Sequence, residues 1–363
     1  FYIKELHLSG TFPKEHYYTI KTKEYNSFDK ESEEYYSDTV NSWFSDFYTN
    51  LNKKVTSVEI TLNKPENAEL TAVSCSNKFE INKYRVLFFL AAFSLLYCLL
   101  FEKKIYKKLE WLFAVYALIF GLLLIFYVQP VKNSWDEQIH FDNAYKLSFT
   151  KNIDWTEAAL NIKNINTVTC NTKAEYAELR EYMNQAGKVH VYTEKKENIV
   201  PSYTVLAYVP QAIFLKLGRI FHFSFSLMYA FGKIGNLLLY ISVMFWAIKI
   251  AKIKQLFLLF LTLMPTNLFL ASSYTYDTVV FSFFTLGCVI WVNEMFFYES
   301  KTSAKKIIFM ILLFTIGSFS KAVYIPIILL VTLLPALKEL PRKSRVAICT
   351  GIFLVFILVM ITF

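Results

Sequence analysis

Asp136, Glu137 and His140 fall within the stretch Ser134-Trp135-Asp136-Glu137-Gln138-Ile139-His140. It follows directly on an apolar run of about twenty residues, the length of a membrane span. Two carboxylates and an imidazole so placed can take a proton, hold a cation or orient a substrate hydroxyl. On a helix, positions three and four apart share a surface, so all three side chains crowd together. Ser134 with Glu137 also has the form of a capping box, and capping alone would account for the carboxylates. Asp277 ends Ser272-Ser273-Tyr274-Thr275-Tyr276-Asp277 between two apolar runs, where it can cap the next helix or face a ligand. Lys321 follows Ser318-Phe319-Ser320 in another connection, where snorkelling is the competing explanation. Lys233 is harder to dismiss. It lies about 10 Å inside a span that starts at Ser226, counting about 1.5 Å per residue, and Asn236 and Tyr240 share its face. An ammonium at that depth needs an anionic partner. Tyr208, with Tyr203 and Pro210, can line a groove for a lipid or sugar, although interfacial aromatic belts have the same composition. Arg219 and His222 read as surface residues.

These side chains have to be positioned by membrane helices. Hydrophobic residues make up 55% of the 363-residue chain, and long apolar runs recur along it, which defines a polytopic α-helical membrane protein. The net charge of +9 comes from lysines in short loops between apolar runs, so it does not signal nucleic-acid binding. Spans are expected at 84–101, 109–128, 226–248, 256–273, 278–297, 307–319, 322–337 and from 346 onward. Residues 1–83 precede them as a polar, aromatic-rich segment. There Val58, Ile60 and Leu62 alternate with polar neighbours, and after a turn at 63–67 a second run covers 70–75. This predicts an antiparallel pair inside a small β-rich domain. The segment 129–225 is a long polar connection with a helix at 174–183, and its amphipathic end at 201–221 is expected to lie at the interface. The chain does not open with Met and closes inside an apolar run, as expected of a fragment cut at both ends.

Four connections carry the cations: Lys103, Lys104, Lys107 and Lys108; Lys249, Lys252 and Lys254; Lys301, Lys305 and Lys306; Lys338, Arg342, Lys343 and Arg345. They alternate along the chain if 201–221 does not cross, and the positive-inside rule then puts all four in the cytoplasm. The β-rich domain, the 129–225 region, Asp277 and Lys321 are then outside. Carboxylates beside cations on that side suit a phosphate-linked substrate. Nucleotide sugars and ATP are cytoplasmic, so a donor used outside would be carried on a lipid. In agreement, the chain has no Gly-x-Gly-x-x-Gly, Walker loop, His-Glu-x-x-His or Gly-x-Ser-x-Gly. The five cysteines show no paired spacing, and no Asn-x-Ser/Thr site occurs. A flippase or transporter would place polar residues along several spans with internal repeats, and none is visible. A polysaccharide polymerase would favour arginine-rich outer loops, and a non-catalytic scaffold would need none of these side chains.

The order of an outer Asp136-Glu137 pair, a Tyr/Pro-rich interfacial segment and a span-end Asp277 resembles the GT-C class of polytopic glycosyltransferases. Within it, WDEQIHFDNAYKLS, YTVLAYVPQAIFLKLGR, FGKIGN, LMPTNLFLASSYTYD and SKAVYIP resemble the bacterial domain-of-unknown-function 2142 family. Lys233 departs from the pattern, which has Arg there. The resemblance covers residues 130–330 and implies an inverting glycosyltransferase of the bacterial plasma membrane, active on the outer face. It would move a sugar from a polyprenyl phosphate to a cell-surface polysaccharide or glycolipid. Asp136 and Glu137 would be catalytic, with Asp136 a base or metal ligand. Asp277 would be the second outer acidic position, and Lys233 and Lys321 would meet the phosphate, with His140 and Tyr208 nearby. A divalent cation, Mg or Mn, held by Asp136 and Asp277 is compatible with this scheme, as is a direct base.

Overall fold

A computed structural model of the chain describes residues 1–12, 16–25, 31–40, 46–63, 67–78, 81–128, 136–149, 152–164, 173–191, 203–297 and 304–362. Two compact units result. One comprises Phe1–Asn82, Thr156–Ala158 and Thr167–Val189, and the other Lys83–Trp155, Ala159–Asn166 and His190–Phe363.

The first unit holds six strands: β1 (Tyr2–Thr11), β2 (His16–Tyr25), β3 (Glu31–Val40), β4 (Asp46–Lys54), β5 (Ser57–Leu62) and β6 (Glu69–Ser76). They form two antiparallel three-stranded sheets, ordered β4-β1-β6 and β3-β2-β5. Tyr18 on β2 reaches Thr49 on β4 at 2.8 Å and joins the sheets over a core of Leu6, Leu8, Phe12, Ile20 and Phe47. In β1 the buried set passes from Ile3 to Leu6 and Leu8, an odd step in a period-two strand. The register with β4 shifts there, and Asn52 opposite takes φ 53°. The two strands expected at 57–62 and 70–75 exist, but they do not pair with each other. β5 pairs with β2 and β6 with β1. Alternation fixes which face of a strand is buried, not which strand it joins, and a six-residue connection does not impose a hairpin as a two-residue turn does.

The helices are α1 (Lys83–Phe101), α2 (Leu109–Leu123), α3 (Glu137–Leu147), α4 (Glu157–Asn164), α5 (Lys173–Ala186), α6 (Val209–Ile220), α7 (Phe225–Ile250), α8 (Gln255–Thr262), α9 (Pro265–Ala271), α10 (Asp277–Phe296), α11 (Ala304–Ser318), α12 (Pro335–Glu339) and α13 (Arg342–Thr362). α5 is the helix expected at 174–183. It belongs to the first unit, where Glu175 accepts the N–H of Tyr48 at 2.8 Å from β4.

In the second unit five helices among the described residues are long and apolar enough to cross a membrane. They are α1, α2 with its π-helical extension to Val128, α7, α10 and α13. α1 leaves Phe88, Phe89, Leu90, Phe93 and Leu96 exposed, a surface suited to hydrocarbon and not to water. The span expected at 256–273 is two short helices, because Pro265 cannot continue α8 and starts α9 instead. α11 has 15 residues. The stretch expected to span from 322 begins as a 3₁₀ helix, Ala322–Leu333. Its buried residues are Ala322, Ile325, Ile328 and Val331, and Leu334 follows in step. A repeat of three matches the 3₁₀ turn, in which residues three apart eclipse one another. This seam packs with Ile307, Met310 and Phe314 of α11.

α2 and α7 pack over Phe113, Ala117, Leu237, Tyr240 and Met244. Gly121 makes the approach possible, since a Cβ there would lie 2.4 Å from Leu237 Cδ2. α6 has 12 residues, about 18 Å of helix, well short of a bilayer core of about 30 Å. It packs along α7 without being among the five crossing candidates.

Candidate functional site

The site is built around the turn between α9 and α10, residues 272–276. A tight turn at the end of two short apolar helices leaves backbone groups without partners, and buried ones have to find them elsewhere. Side chains from three other helices supply them. Asn236 of α7 donates to the carbonyl of Ser273 at 3.0 Å and to the Thr278 hydroxyl at 2.9 Å. Gln211 of α6 donates to the carbonyl of Thr275 at 2.9 Å. Glu137 of α3 accepts the N–H of Tyr274 at 3.1 Å. Tyr274 in turn donates its hydroxyl to the carbonyl of Tyr229 at 2.7 Å. The phenol enters over Gly232, where a Cβ would lie 2.1 Å from its oxygen, and Gly235 likewise lets the backbone of Pro210 approach. Four of the motifs that carried the resemblance thus meet at one turn.

Two ion pairs flank it. Glu137 and Lys233 meet at 2.8 Å, both side chains wholly buried. Around them the rings of Phe141, Tyr229 and Tyr274 meet tilted or edge-on with centroids 4.9–5.2 Å apart, and the Lys233 ammonium lies 5.0 Å from the Tyr229 ring centre. Asp277 and Lys321 meet at 2.6 Å with a third of each side chain exposed. The Lys321 ammonium also lies 5.2 Å from the Tyr276 ring centre. Burial works against its charge, while the hydrogen bond and field of Asp277 hold its pKa above the ordinary lysine value.

Between the pairs, His140 Nδ1 and the Tyr208 hydroxyl are 2.7 Å apart, and the Tyr276 ring meets the imidazole edge-on at 4.9 Å. Burial pushes the His140 pKa down, against the opposing fields of Asp277, Asp136 and Glu137. Burial pushes the Tyr208 phenol up, so it keeps its proton. Asp136 stands at the head of α3 in the left-handed region, φ 59°, exposed and without a side-chain capping bond. That conformation is costly for a residue with a Cβ and collects at functional positions.

The two capping explanations therefore do not describe these acids. α3 starts at Glu137, whose carboxylate turns inward to Lys233, and Ser134 lies outside the described residues. α10 starts at Asp277 itself, with its carboxylate on Lys321. Lys321 is engaged by that acid, which snorkelling alone would not require. Lys233 has Glu137 as its anionic partner. Arg219, expected at the surface, donates to the carbonyl and hydroxyl of Ser148 at 2.7 Å and stacks on Phe149 at 3.9 Å. His222 is exposed, as expected. Gln211, Tyr274, Tyr276 and Gly232 were not singled out from the sequence. The signal available was an amide among apolar neighbours of an amphipathic helix and a glycine beside an in-span lysine. Among the described residues no three His, Cys, Asp or Glu side chains gather as a metal-ligand set, and Asp277 already holds a lysine.

The polar cluster and the lysine-rich segments occupy opposite ends of α7 and α10. Lys233 and Asp277 lie near the starts of these helices, and Lys321 follows the end of α11. At the other end Asn293 of α10 donates to the carbonyl of Ile250 at 2.7 Å and accepts the N–H of Lys252 at 3.0 Å. Lys306 at the start of α11 pairs with Glu294 at 2.9 Å.

Five helices among the described residues with the length and apolarity to cross a membrane, and an ion pair closed inside the bundle, are the character of a membrane protein. The family model described as "Predicted membrane protein (DUF2142)" matches residues 118–363, more than half of the chain. The chain belongs to this family. No curated protein and no solved structure matches.

Proposed function

We propose that this chain is a membrane glycosyltransferase of the GT-C class in the bacterial plasma membrane. It takes a sugar from a polyprenyl-phosphate donor at the outer face and passes it to a polysaccharide or glycolipid acceptor. The observation that carries the reading is Asp136. It is an exposed, uncapped carboxylate in a left-handed conformation, at the end of the bundle opposite the lysine-rich segments. The positive-inside rule assigns those segments to the cytoplasm and this end to the outside.

In this reading Asp136 accepts the proton of the acceptor hydroxyl. The acceptor oxygen forms its bond to the anomeric carbon as the bond from that carbon to the phosphate oxygen breaks. The electron pair leaves with the polyprenyl phosphate, and the anomeric centre inverts. Lys321, anchored by Asp277, meets the developing phosphate charge. His140 and Tyr208, both uncharged near neutral pH, supply hydrogen bonds to sugar hydroxyls. Glu137 and Lys233 act one layer deeper: their mutual pairing holds the head of α3, and with it Asp136, against the 272–276 turn.

The test is sugar transfer by the purified full-length protein in proteoliposomes, with a panel of polyprenyl-phosphate sugars. Asp136→Asn should lose activity by about a hundredfold or more, the scale of a lost general base. It should remain folded, since no side-chain cap is removed. Undiminished transfer by that variant would take Asp136 out of the mechanism. Movement of intact donor across the bilayer without transfer would replace the enzyme reading with a flippase.

A further inference from the structure

The end of the α2–α7 pair farthest from the polar cluster has a composition of its own. α2 starts there after the 3₁₀ turn Lys103–Lys107, and α7 ends there. Trp111 of α2 meets Phe245 of α7 edge to face with ring centres 4.9 Å apart. Phe245 packs in turn on Trp246. Trp111 is 58% exposed and Trp246 53% exposed, so two indoles that both pack on Phe245 are open to the surroundings. Exposed tryptophans at a span end mark the head-group level of a bilayer. Lys249 holds its ammonium 4.7 Å from the Trp246 ring centre and 5.8 Å from that of Phe245. Lys107 and Lys108 lead into α2 just before Trp111.

Glu102 and Glu110 stand among the lysines at the α2 end of this surface, and cations remain in excess there. Among the described residues Lys103, Lys104, Lys107, Lys108 and Lys249 form no ion pair with a carboxylate, whereas Lys306 at the same end has Glu294. No Asp or Glu occurs from Phe225 to Tyr276. An ammonium on the Trp246 ring, with four lysines leading into the helix that carries Trp111, suits a ligand with an anionic head and apolar tails at this depth.

We infer that Lys107, Lys108, Trp111, Phe245, Trp246 and Lys249 form a binding site for an anionic phospholipid. The head-group phosphate takes the ammonium groups, the indoles lie against the glycerol region, and the acyl chains run along the α2–α7 surface. The inference does not depend on the transfer reading, because it concerns the other end of the bundle and is measured without substrate.

The experiment uses the full-length protein reconstituted in zwitterionic vesicles containing a small fraction of brominated lipid. The brominated lipid is either phosphatidylglycerol or phosphatidylcholine, and its bromines quench nearby tryptophan. The anionic lipid should quench more strongly at equal mole fraction, with a local enrichment of about fivefold for each lysine engaged. The excess should vanish in a Trp111→Phe/Trp246→Phe variant, which removes the two reporters at the site and leaves the other four tryptophans. It should fall in a Lys108→Gln/Lys249→Gln variant and at high salt. Equal quenching of the wild-type protein by the two lipids overturns the site. So does an excess that survives loss of the two tryptophans or of the two lysines. Should the lysine variant fail to fold, the wild-type comparison and its salt dependence decide alone.

Discussion

The Glu137 carboxylate and the Lys233 ammonium meet at 2.8 Å, and neither side chain has any exposure. Removing one partner strands a buried charge, which costs about 3–5 kcal/mol, whereas replacing both with apolar residues is often close to neutral. Glu137→Gln and Lys233→Met should therefore each lower the melting temperature in detergent markedly. The Glu137→Leu/Lys233→Met double variant should melt well above either. A double variant no more stable than the singles would show that the pair's remaining hydrogen bonds, such as that from Tyr274, matter more than its charges.

Asp136 has φ 59°, where glycine is at ease and a residue with a Cβ is strained. Asp136→Gly should raise stability by about 1 kcal/mol, the scale of the left-handed penalty. Transfer should be lost at the same time. A destabilised glycine variant in chemical denaturation would mean that the carboxylate supports the fold.

Gly232 faces the Tyr274 hydroxyl with no room for a methyl group. Gly232→Ala should cost about 1–3 kcal/mol by overpacking. Tyr274→Phe added to it should restore part of that loss, since the atom in closest conflict is gone. Thermal melting of the two single variants and the double gives the coupling, and strict additivity would refute the contact.

Burial lowers the His140 pKa below its ordinary 6.5. Above 6.5 the imidazole is neutral both folded and unfolded, so the group leaves stability unchanged there. As pH falls below 6.5 the unfolded chain takes up this proton first, and stability is lost until the folded pKa is passed. Melting temperatures between pH 7.5 and 5 should fall, and His140→Gln should flatten the profile. An identical slope in the variant would assign the acid sensitivity to another group.

Orientation has its own test. Cysteines introduced at His222, Lys104 and Lys343, all exposed positions, should divide under a membrane-impermeant thiol reagent applied to intact cells. Reaction is expected at position 222 and protection at 104 and 343. Labelling at 343 would break the alternation on which the outer site rests.

Much of this arrangement was legible in the residues. Lys233 announces itself because an ammonium inside a span must be answered, and the alternation of lysine-rich connections divides the helix ends. The identity of the answering acid was not legible. Glu137 is nearly a hundred positions away, and local spacing offered it a capping role equally well. Gln211 was hidden for a similar reason: one amide in an amphipathic helix looks solvated until its target carbonyl is known. β5 and β6 were readable as strands but not as members of different sheets, since alternation carries no partner information. Pro265 was in plain view inside an expected span and broke it. The 3₁₀ run from Ala322 was unreadable, because a stretch apolar on every side shows no period.

That 3₁₀ run has a consequence for Lys321, which leads it. Its inward residues repeat every three positions and pack in one cluster with Ile307, Met310 and Phe314 of α11. Three residues of 3₁₀ helix rise about 6 Å at about 2 Å per residue, so a shift of the segment by one repeat would be needed to bring the same set of inward side chains back onto α11. A displacement of that size exceeds the 2.6 Å that separates the Lys321 ammonium from the Asp277 carboxylate, so the seam that fixes the 3₁₀ run also fixes the reach of Lys321.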